Sequence, residues 1–211
     1  MLEQWQSVIV VVVISYLLGA IPMAYLIARL KQVNIFEVGS GNMGATNVSR
    51  ALGYGWGILV WALDMAKGIV AILIARQVMS DSVAAATALA ALMGIVGHNW
   101  SIFAARITGK LRGGKGAAIA LGTLLIIAPG IVLAITLVGS VILFLTRYVS
   151  LAVLVMFGIA TLWMIVLVDQ NAMPIEYRSY SLLVAALILY RFRENIERLL
   201  RGTERRLGER A

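Results

Sequence analysis

Long apolar runs decide what this chain can fold into. Residues 8–28 and 150–168 are almost entirely apolar, and each run is close to the roughly 20 residues that an α-helix needs to cross a bilayer. The chain is 61% apolar and only 13% charged, whereas soluble chains carry about 25% charged residues. A soluble domain is excluded. We expect one all-α integral membrane domain over residues 1–211, with a tail at 191–211.

The positions of arginine and lysine predict how the spans are oriented. Arg29 and Lys31 directly follow the first apolar run, and basic residues favour the cytoplasmic side of a membrane. We therefore expect the N-terminus outside and the first span, which Pro22 can kink, to end in the cytoplasm. Other clear spans are predicted at about residues 54–75, 82–103, 150–168 and 178–190.

The stretch 116–146 is long for one span and short for two, with Pro129-Gly130 at its middle. A single span would place Arg147 and the arginines of the tail outside, against the positive-inside bias. We therefore predict two short helices that turn at Pro129-Gly130, seven transmembrane helices in all, and a cytoplasmic C-terminus. The arginine-rich tail is predicted to lie in the membrane interface as an amphipathic helix.

The residue types that the chain lacks exclude several kinds of chemistry. It has no cysteine and one histidine, so disulfides, thiolate catalysis and multi-histidine metal sites are excluded. Its ten acidic residues are spread thinly and form no carboxylate cluster. We expect no metal and no cofactor. The net charge of +8 is explained by membrane orientation, and no nucleic-acid partner is expected.

Glycine and polar residues concentrate in two segments that join membrane helices, residues 38–50 (stretch 1) and 97–116 (stretch 2). Gly39-x-Gly41-x-x-Gly44 matches a dinucleotide fingerprint and 109–115 resembles a P-loop, but no strand pattern precedes either. Such loops can still bind phosphate, because glycine lets backbone N–H groups point at one oxyanion and helix N-termini are positive. Both stretches are predicted on the cytoplasmic face.

The two stretches also carry side chains suited to phosphate. Arg50 and Lys115 supply positive charge, and a guanidinium can grip a phosphate with two hydrogen bonds. The short polar side chains are Ser40, Asn42, Thr46 and Asn47. The alternative is that the glycines only make turns and the cations only anchor the loops. Two such stretches on one membrane face favour a phosphate-binding site.

Asp64, Lys67 and His98 are ionisable residues that lie within or at the end of the second and third predicted spans. Asp64 and Lys67 are three residues apart, hence on one face of the second span, where ionisable side chains are costly and often functional. They can form a structural ion pair, or Lys67 can line the substrate site. His98 ends the third span, where a histidine can bind substrate or simply bond to loop backbone. Both alternatives stay open.

Taken together, these segments resemble the PlsY-type acyl-phosphate:glycerol-3-phosphate acyltransferases of bacteria over nearly the whole chain. The first motif, which is highly specific, reads Gly39-Ser40-Gly41-Asn42-x-Gly44-Ala45-Thr46-Asn47-x-x-Arg50. The second reads Gly97-His98, then Phe103 and Gly113-Gly114-Lys115-Gly116. The third reads Arg191-x-Arg193-x-Asn195-Ile196-x-Arg198-Leu199, and Asp64-x-x-Lys67-Gly68 is also similar.

The resemblance implies a seven-helix protein of the bacterial inner membrane with a cytoplasmic active site. It implies acyl transfer from acyl phosphate to the sn-1 hydroxyl of glycerol 3-phosphate, giving lysophosphatidic acid and phosphate for phospholipid synthesis. The implied partners are these two substrates, the bilayer and a soluble enzyme that makes acyl phosphate. The chain departs from the family in extra residues at 107–112 and in Phe192, which replaces a second histidine.

An acyl phosphate is already activated, so no nucleophilic residue is needed. The His-x4-Asp pair of other glycerophosphate acyltransferases is absent, because Ile102 stands four residues after His98. We therefore expect substrate-assisted catalysis, in which a substrate phosphate oxygen accepts the hydroxyl proton. The catalytic candidates are His98, Ser40 and Lys115. The substrate-binding candidates are Gly39, Gly41, Asn42, Thr46, Asn47, Arg50, Lys67, Gly113, Gly114, Gly116, Arg193 and Asn195.

Two other functions fit the sequence less well. A transporter of phosphate or a phosphate ester would also place glycines and cations at the membrane. Transporter sites, however, lie near the midplane, and only Asp64 and Lys67 are predicted at that depth. A structural membrane scaffold is the other alternative.

Overall fold

The structure is a computed structural model that describes residues 2–209, and it confirms the predicted all-α class. The described residues form ten α-helices and one 3-10 turn, Ser80–Ser82, together with an isolated backbone bridge between Ser101 and Arg112. The helices are α1 Leu2–Ala20, α2 Met23–Leu30, α3 Ala45–Leu52, α4 Tyr54–Val78, α5 Val83–Asn99, α6 Ile102–Thr108, α7 Ala117–Ile127, α8 Pro129–Thr146, α9 Val149–Asp169 and α10 Glu176–Leu200.

Five segments of the described chain are long and apolar enough to cross a membrane. They are Gln4–Leu30, Tyr54–Val78, Ser80–Asn99, Pro129–Thr146 and Val149–Asp169. Each coincides with a predicted span. The remaining two predicted spans correspond to α7, an apolar helix of 11 residues, and to α10, a helix of 25 residues that carries charges at both ends.

Pro22 interrupts the first apolar segment between α1 and α2, as predicted. Proline has no N–H with which to continue the α-helical hydrogen bonds, so backbone carbonyls near the break bond elsewhere. The carbonyl of Ala20 accepts the hydroxyl of Ser101 at 2.5 Å. The carbonyl of Ile21 accepts the ammonium of Lys67 at 3.0 Å. The break therefore ties the end of α1 to Ser101 and to the candidate site residue Lys67.

The stretch 116–146 forms two helices, as predicted, but the break lies before Pro129 instead of at Pro129-Gly130. α7 ends at Ile127, Ala128 is not helical, and Pro129 is the first residue of α8. Proline suits this first position because its missing N–H would have no helical partner there. Gly130 consequently lies inside α8.

The described helices form two compact units, residues 2–123 with 208–209, and residues 124–207. In the first unit α1 packs closely on α5 through small residues. A Cβ added at Gly19 would overlap the backbone of Gly94, and one at Gly97 would overlap the carbonyl of Tyr16. Close van der Waals packing of small residues is what holds membrane helices together where lipid removes the hydrophobic driving force.

In the second unit α9 packs against both α8 and α10. The buried side chains of this unit include Phe157 and Met164 on α9 and Tyr180 and Ile188 on α10. α10 extends well beyond the predicted span at 178–190, because residues 191–200 continue the same helix. The first half of the tail therefore does not form the separate interfacial helix that the sequence suggested.

Candidate active site

Stretch 1 is built around the side chain of Asn47, which is 2% exposed and lies in the first turn of α3. Its Nδ2 donates to the carbonyls of Ile35, Val38 and Asn42 at distances of 3.0 to 3.2 Å. Its Oδ1 accepts the N–H of Ser40 at 3.0 Å. One buried amide thus holds the turn that precedes α3.

Two glycines give this turn its shape. Gly39 and Gly41 have φ angles of +61° and +63°, in the left-handed region that glycine enters without strain. Gly41 also lies so close to Phe36 that an added Cβ would be 2.9 Å from the carbonyl oxygen. The hydroxyl of Ser40 accepts the N–H of Asn42 at 3.4 Å, and Ser40 remains exposed.

Thr46 and Arg50 follow on α3, where both are half-buried. They are four residues apart and therefore lie on the same face of the helix. α3 packs against α4, where Gly57 makes room for the hydroxyl of Ser49 that an added Cβ would overlap. This packing fixes the helix that carries Arg50.

Stretch 2 folds back onto the end of α5. The N–H of Gly114 donates to the carbonyl of His98 at 3.1 Å, and Gly113 lies against the same carbonyl. A Cβ at Gly114 would overlap Nε2 of the His98 imidazole, so glycine is required there. Gly116 has a φ of +83° and directly precedes α7. The half-buried Lys115 is therefore held beside His98 and just before the N-terminus of α7.

Arg112 connects the two stretches, a contact that no sequence pattern indicated. Its guanidinium donates to the carbonyl of Gly41 and lies 4.6 Å from the centre of the Phe36 ring. Its own carbonyl accepts the N–H of Ser101 at 3.2 Å. Residues 107–112 thus end α6 and return the chain to stretch 1, which brings both stretches together in the first unit.

A buried network of three ionisable side chains lies beside stretch 2. Nζ of Lys67 is 2.8 Å from Oδ1 of Asp64 and 2.8 Å from Nδ1 of His98. Nδ1 of His98 is 3.6 Å from the same carboxylate oxygen. None of the three residues is more than 5% exposed. Asp64 and Lys67 therefore form an ion pair, and this pair contacts the candidate catalytic histidine.

Asn99 is a further buried residue that the motifs did not single out. It ends α5 with 0% exposure, and neither polar atom of its amide has a hydrogen-bond partner among the described residues. A Cβ at Gly116 would lie 2.8 Å from its Oδ1. Because an unpaired buried amide is costly, its position beside Gly116, the residue that precedes α7, marks it as available to a bound ligand. Its only signal in the sequence is its place beside His98.

Neither glycine pattern is part of a strand–loop–helix unit within residues 2–209. Stretch 1 follows α2, and the pattern at 109–115 follows α6. Because the dinucleotide fingerprint and the P-loop both require a preceding strand, neither nucleotide-binding alternative applies.

Asn195 lies in the second unit, where its amide holds the C-terminal segment. Its Nδ2 donates to Oε1 of Glu204 at 2.6 Å, and the hydroxyl of Ser150 donates to the same oxygen at 2.8 Å. Nε of Arg198 donates to Oε2 at 2.7 Å. Burial alone would raise the pKa of Glu204, but these three hydrogen bonds outweigh it and hold the pKa below its usual value.

The other third-motif residues also lie in the second unit. The exposed guanidinium of Arg193 donates to the carbonyl of Tyr190 at 3.0 Å and lies 4.6 Å from its ring centre. Phe192 is 5% exposed. Of the predicted site residues, Arg193 and Asn195 therefore belong to the second unit and all the others to the first.

Comparison with known proteins identifies the family. A family model described as glycerol-3-phosphate acyltransferase matches residues 9–202. The chain belongs to the glycerol-3-phosphate acyltransferase family. A member from Thermus thermophilus is 43% identical over 199 residues, which are 94% of each chain. Glycerol-3-phosphate acyltransferase 1 of Deinococcus radiodurans is 40% identical over 203 residues, which are 96% of this chain and 97% of the relative.

Two solved structures share the fold. The crystal structure of PlsY (YgiH), an integral membrane glycerol 3-phosphate acyltransferase, in its glycerol 3-phosphate form has a TM-score of 0.84. It is 40% identical and covers 96% of both chains. The lysophosphatidic acid form of the same protein has a TM-score of 0.83. The predicted family and enzyme class are thus confirmed, and the protein is an integral membrane acyltransferase.

Proposed function

We propose that this acyltransferase transfers a fatty acyl group from acyl phosphate to the sn-1 hydroxyl of glycerol 3-phosphate, giving lysophosphatidic acid and phosphate. The observation that carries the proposal is the contact of Arg112 with Gly41, which joins two glycine-rich, cationic segments in one unit. Glycine-rich backbone nests bind anions, so two such segments side by side suit a reaction between two phosphate-bearing substrates. The glycerol 3-phosphate and lysophosphatidic acid forms of PlsY support the same acceptor and product.

In stretch 1 the proposed ligands of the glycerol 3-phosphate are Ser40 and Arg50. Ser40 is exposed at the turn, and Arg50 can bind phosphate through two N–H groups at once. Thr46 shares the helix face of Arg50, and the turn around Gly39, Gly41 and Asn42 contributes backbone groups. Asn47 has its amide engaged with this turn, so its proposed role is to hold the loop that binds the substrate.

Stretch 2 is proposed to bind the other substrate, the acyl phosphate. The backbone of Gly113, Gly114 and Gly116 and the ammonium of Lys115 would surround its phosphate at the N-terminus of α7, whose dipole favours an anion. His98 lies against Gly114 and would orient the acyl phosphate. The buried amide of Asn99, next to Gly116, is a further proposed ligand.

The proposed reaction is a direct acyl transfer without an acyl-enzyme. The sn-1 hydroxyl oxygen attacks the carbonyl carbon, the bond from that carbon to the bridging oxygen breaks, and inorganic phosphate leaves with the bridging oxygen. A substrate phosphate oxygen takes the hydroxyl proton. The residues of both stretches position the reactants and stabilise negative charge, which are the effects that make such a transfer fast. The scheme uses no metal and no cofactor.

For the third motif and the membrane topology the proposal rests on sequence. Asn195 and Arg193 are proposed substrate-binding residues on the family motif, and Phe192 replaces a histidine that would donate a hydrogen bond. We propose a single domain with seven spans, in which α7 and α10 complete the five long apolar segments. Its N-terminus would lie outside and its active site would face the cytoplasm of a bacterial inner membrane, where a soluble enzyme supplies acyl phosphate.

The test is acyl transfer by the purified protein. Detergent-solubilised protein receives radiolabelled glycerol 3-phosphate with either palmitoyl phosphate or palmitoyl coenzyme A. We expect lysophosphatidic acid and phosphate in equal amounts from the acyl phosphate only. Comparable rates from the thioester would refute the donor and the substrate-assisted mechanism. No lysophosphatidic acid from either donor would favour the transporter or scaffold alternatives.

A further inference from the structure

The ammonium of Lys67 forms an ion pair with Asp64 and contacts two hydrogen-bond acceptors. Its Nζ is 2.8 Å from Oδ1 of Asp64, 3.0 Å from the carbonyl of Ile21 and 2.8 Å from Nδ1 of His98. An ammonium group has three donors and no lone pair. The ammonium is therefore held by Asp64 and by the carbonyl of Ile21, and it contacts the candidate site through His98.

The contact between Lys67 and His98 decides the protonation of the imidazole. The carboxylate of Asp64 at 2.8 Å stabilises the charged form of Lys67 in this buried place. A charged ammonium can only donate, so Nδ1 of His98 must accept and carries no proton. In a neutral imidazole the proton then resides on Nε2.

Nε2 of His98 lies at the loop proposed to bind the acyl phosphate. The backbone of Gly114 approaches this nitrogen so closely that an added Cβ would overlap it. The N–H of Gly114 also donates to the backbone carbonyl of His98, which fixes the loop against the imidazole. A proton on Nε2 is therefore directed to the place where the acyl phosphate would be polarised.

We propose that Lys67 is a positioning residue that fixes His98 as the Nε2–H tautomer, so that Nε2 donates a hydrogen bond into the acyl-phosphate loop. The identity of the ligand rests on the proposed function, but the tautomer does not. An Nε2 that already carries a proton cannot take the hydroxyl proton of the acceptor. His98 then acts as a hydrogen-bond donor, and the proton goes to a substrate phosphate oxygen.

The chain offers a direct spectroscopic test, because His98 is its single histidine. Protein labelled with ¹⁵N-histidine and purified through a tag that contains no histidine gives the imidazole nitrogen signals of this residue alone. Near neutral pH we expect Nδ1 without a proton and Nε2 with one. A proton on Nδ1 in the unmodified protein would overturn the proposal.

Two variants test the role of Lys67. In K67M the carboxylate of Asp64, 3.6 Å from Nδ1, can accept a hydrogen bond from this nitrogen, so Nδ1 should gain a proton. The acyl-transfer rate should fall by about 10-fold or more, the size expected for losing a charge-assisted hydrogen bond. The matched variant D64N/K67Q removes both charges but keeps an amide donor for Nδ1. The ¹⁵N signal of an Nδ1 without a proton should therefore return, together with most of the acyl-transfer rate lost in K67M.

The two proposals fail in different ways. An unchanged imidazole spectrum in K67M would overturn the role of Lys67 even if acyl transfer proceeds as proposed. A bare Nδ1 that gains its proton in K67M would support the role of Lys67 even if the unmodified protein forms no lysophosphatidic acid, in which case only the proposed function fails.

Discussion

The guanidinium of Arg112 donates to the backbone carbonyl of Gly41, 71 residues earlier in the chain. The same guanidinium covers the ring of Phe36, and the Arg112 carbonyl accepts the N–H of Ser101. One residue thus bonds to the turn before α3 and to the start of α6. Arg112 therefore holds the two proposed phosphate loops together.

Removing this guanidinium should weaken both substrate sites. In Arg112→Ala we expect the KM values for glycerol 3-phosphate and for acyl phosphate to rise together. Loss of one charge-assisted hydrogen bond predicts about a 10-fold fall in kcat/KM. Arg112→Lys should recover part of the activity, because an ammonium can donate to Gly41 but covers an aromatic ring less well. Lys110→Ala, at an exposed site nearby, is the control, and an equal loss there would contradict the assignment.

Replacing Asn47 should disorder the turn of stretch 1. Asn47→Ala leaves the carbonyls of Val38 and Asn42 without this donor, at a cost of about 1–3 kcal/mol for an unsatisfied buried group. Thermal unfolding in detergent and the KM for glycerol 3-phosphate should both change. Asn34→Ala removes an exposed amide and should leave both thermal unfolding and this KM unchanged. A normal KM in Asn47→Ala would show that the turn does not depend on this amide.

Arg50 and Lys115, the positively charged residues proposed to bind substrate phosphate in stretches 1 and 2, should each be needed for full activity. Arg50→Ala and Lys115→Ala remove a charge-assisted contact of about 1.5–3 kcal/mol, hence roughly 10- to 150-fold in activity. Arg76 lies at the opposite end of α4 from α3 and donates to Thr87. Arg76→Ala should therefore leave turnover nearly unchanged. Near-normal rates in both loop variants would remove the phosphate-binding assignment.

Glu204 should make stability depend on acid pH. Its pKa is lowered in the folded state, so its stabilising contribution is fully present above about pH 4.3, the ordinary glutamate value, and is lost as the pH falls through the lowered pKa. Glu204→Gln should lower Tm at neutral pH and reduce the fall of Tm on acidification. Glu197→Gln, which loses only an exposed pair with Arg201, should resemble the unmodified protein. A Tm profile of Glu204→Gln that parallels the unmodified one would contradict this role.

The seven-span topology can be tested at the chain ends. A reporter that is active only in the periplasm should be active when fused to the N-terminus and silent when fused to the C-terminus, because basic residues cluster beside the C-terminal end of α10. Activity of the C-terminal fusion would mean that α7 and α8 together cross the membrane only once.

Much of the fold was predictable from the sequence, because where a helix begins, breaks or ends depends mainly on residues that are close together in the chain. The break at Pro22 follows from a missing N–H, and the division of 116–146 into two helices follows from Pro129. The predicted position of the turn, at Pro129-Gly130, was wrong, since proline prefers the first position of a helix to the turn before it. The predicted length of the last helix was also wrong, because the charged residues after 190 continue α10 and Arg198 bonds to Glu204.

The sequence by itself determined the membrane class, the family and the two glycine-rich segments, since hydropathy and motif spacing are local properties of the chain. Only the tertiary structure decided the partners of the polar residues. Whether the Lys67 ammonium meets substrate or Nδ1 of His98 depends on how closely α4 and α5 pack. Whether Arg112 faces solvent or the carbonyl of Gly41 depends on how the chain returns after α6. Hydrogen bonds act only over about 3 Å, and contacts that short between distant residues exist only once the helices are packed.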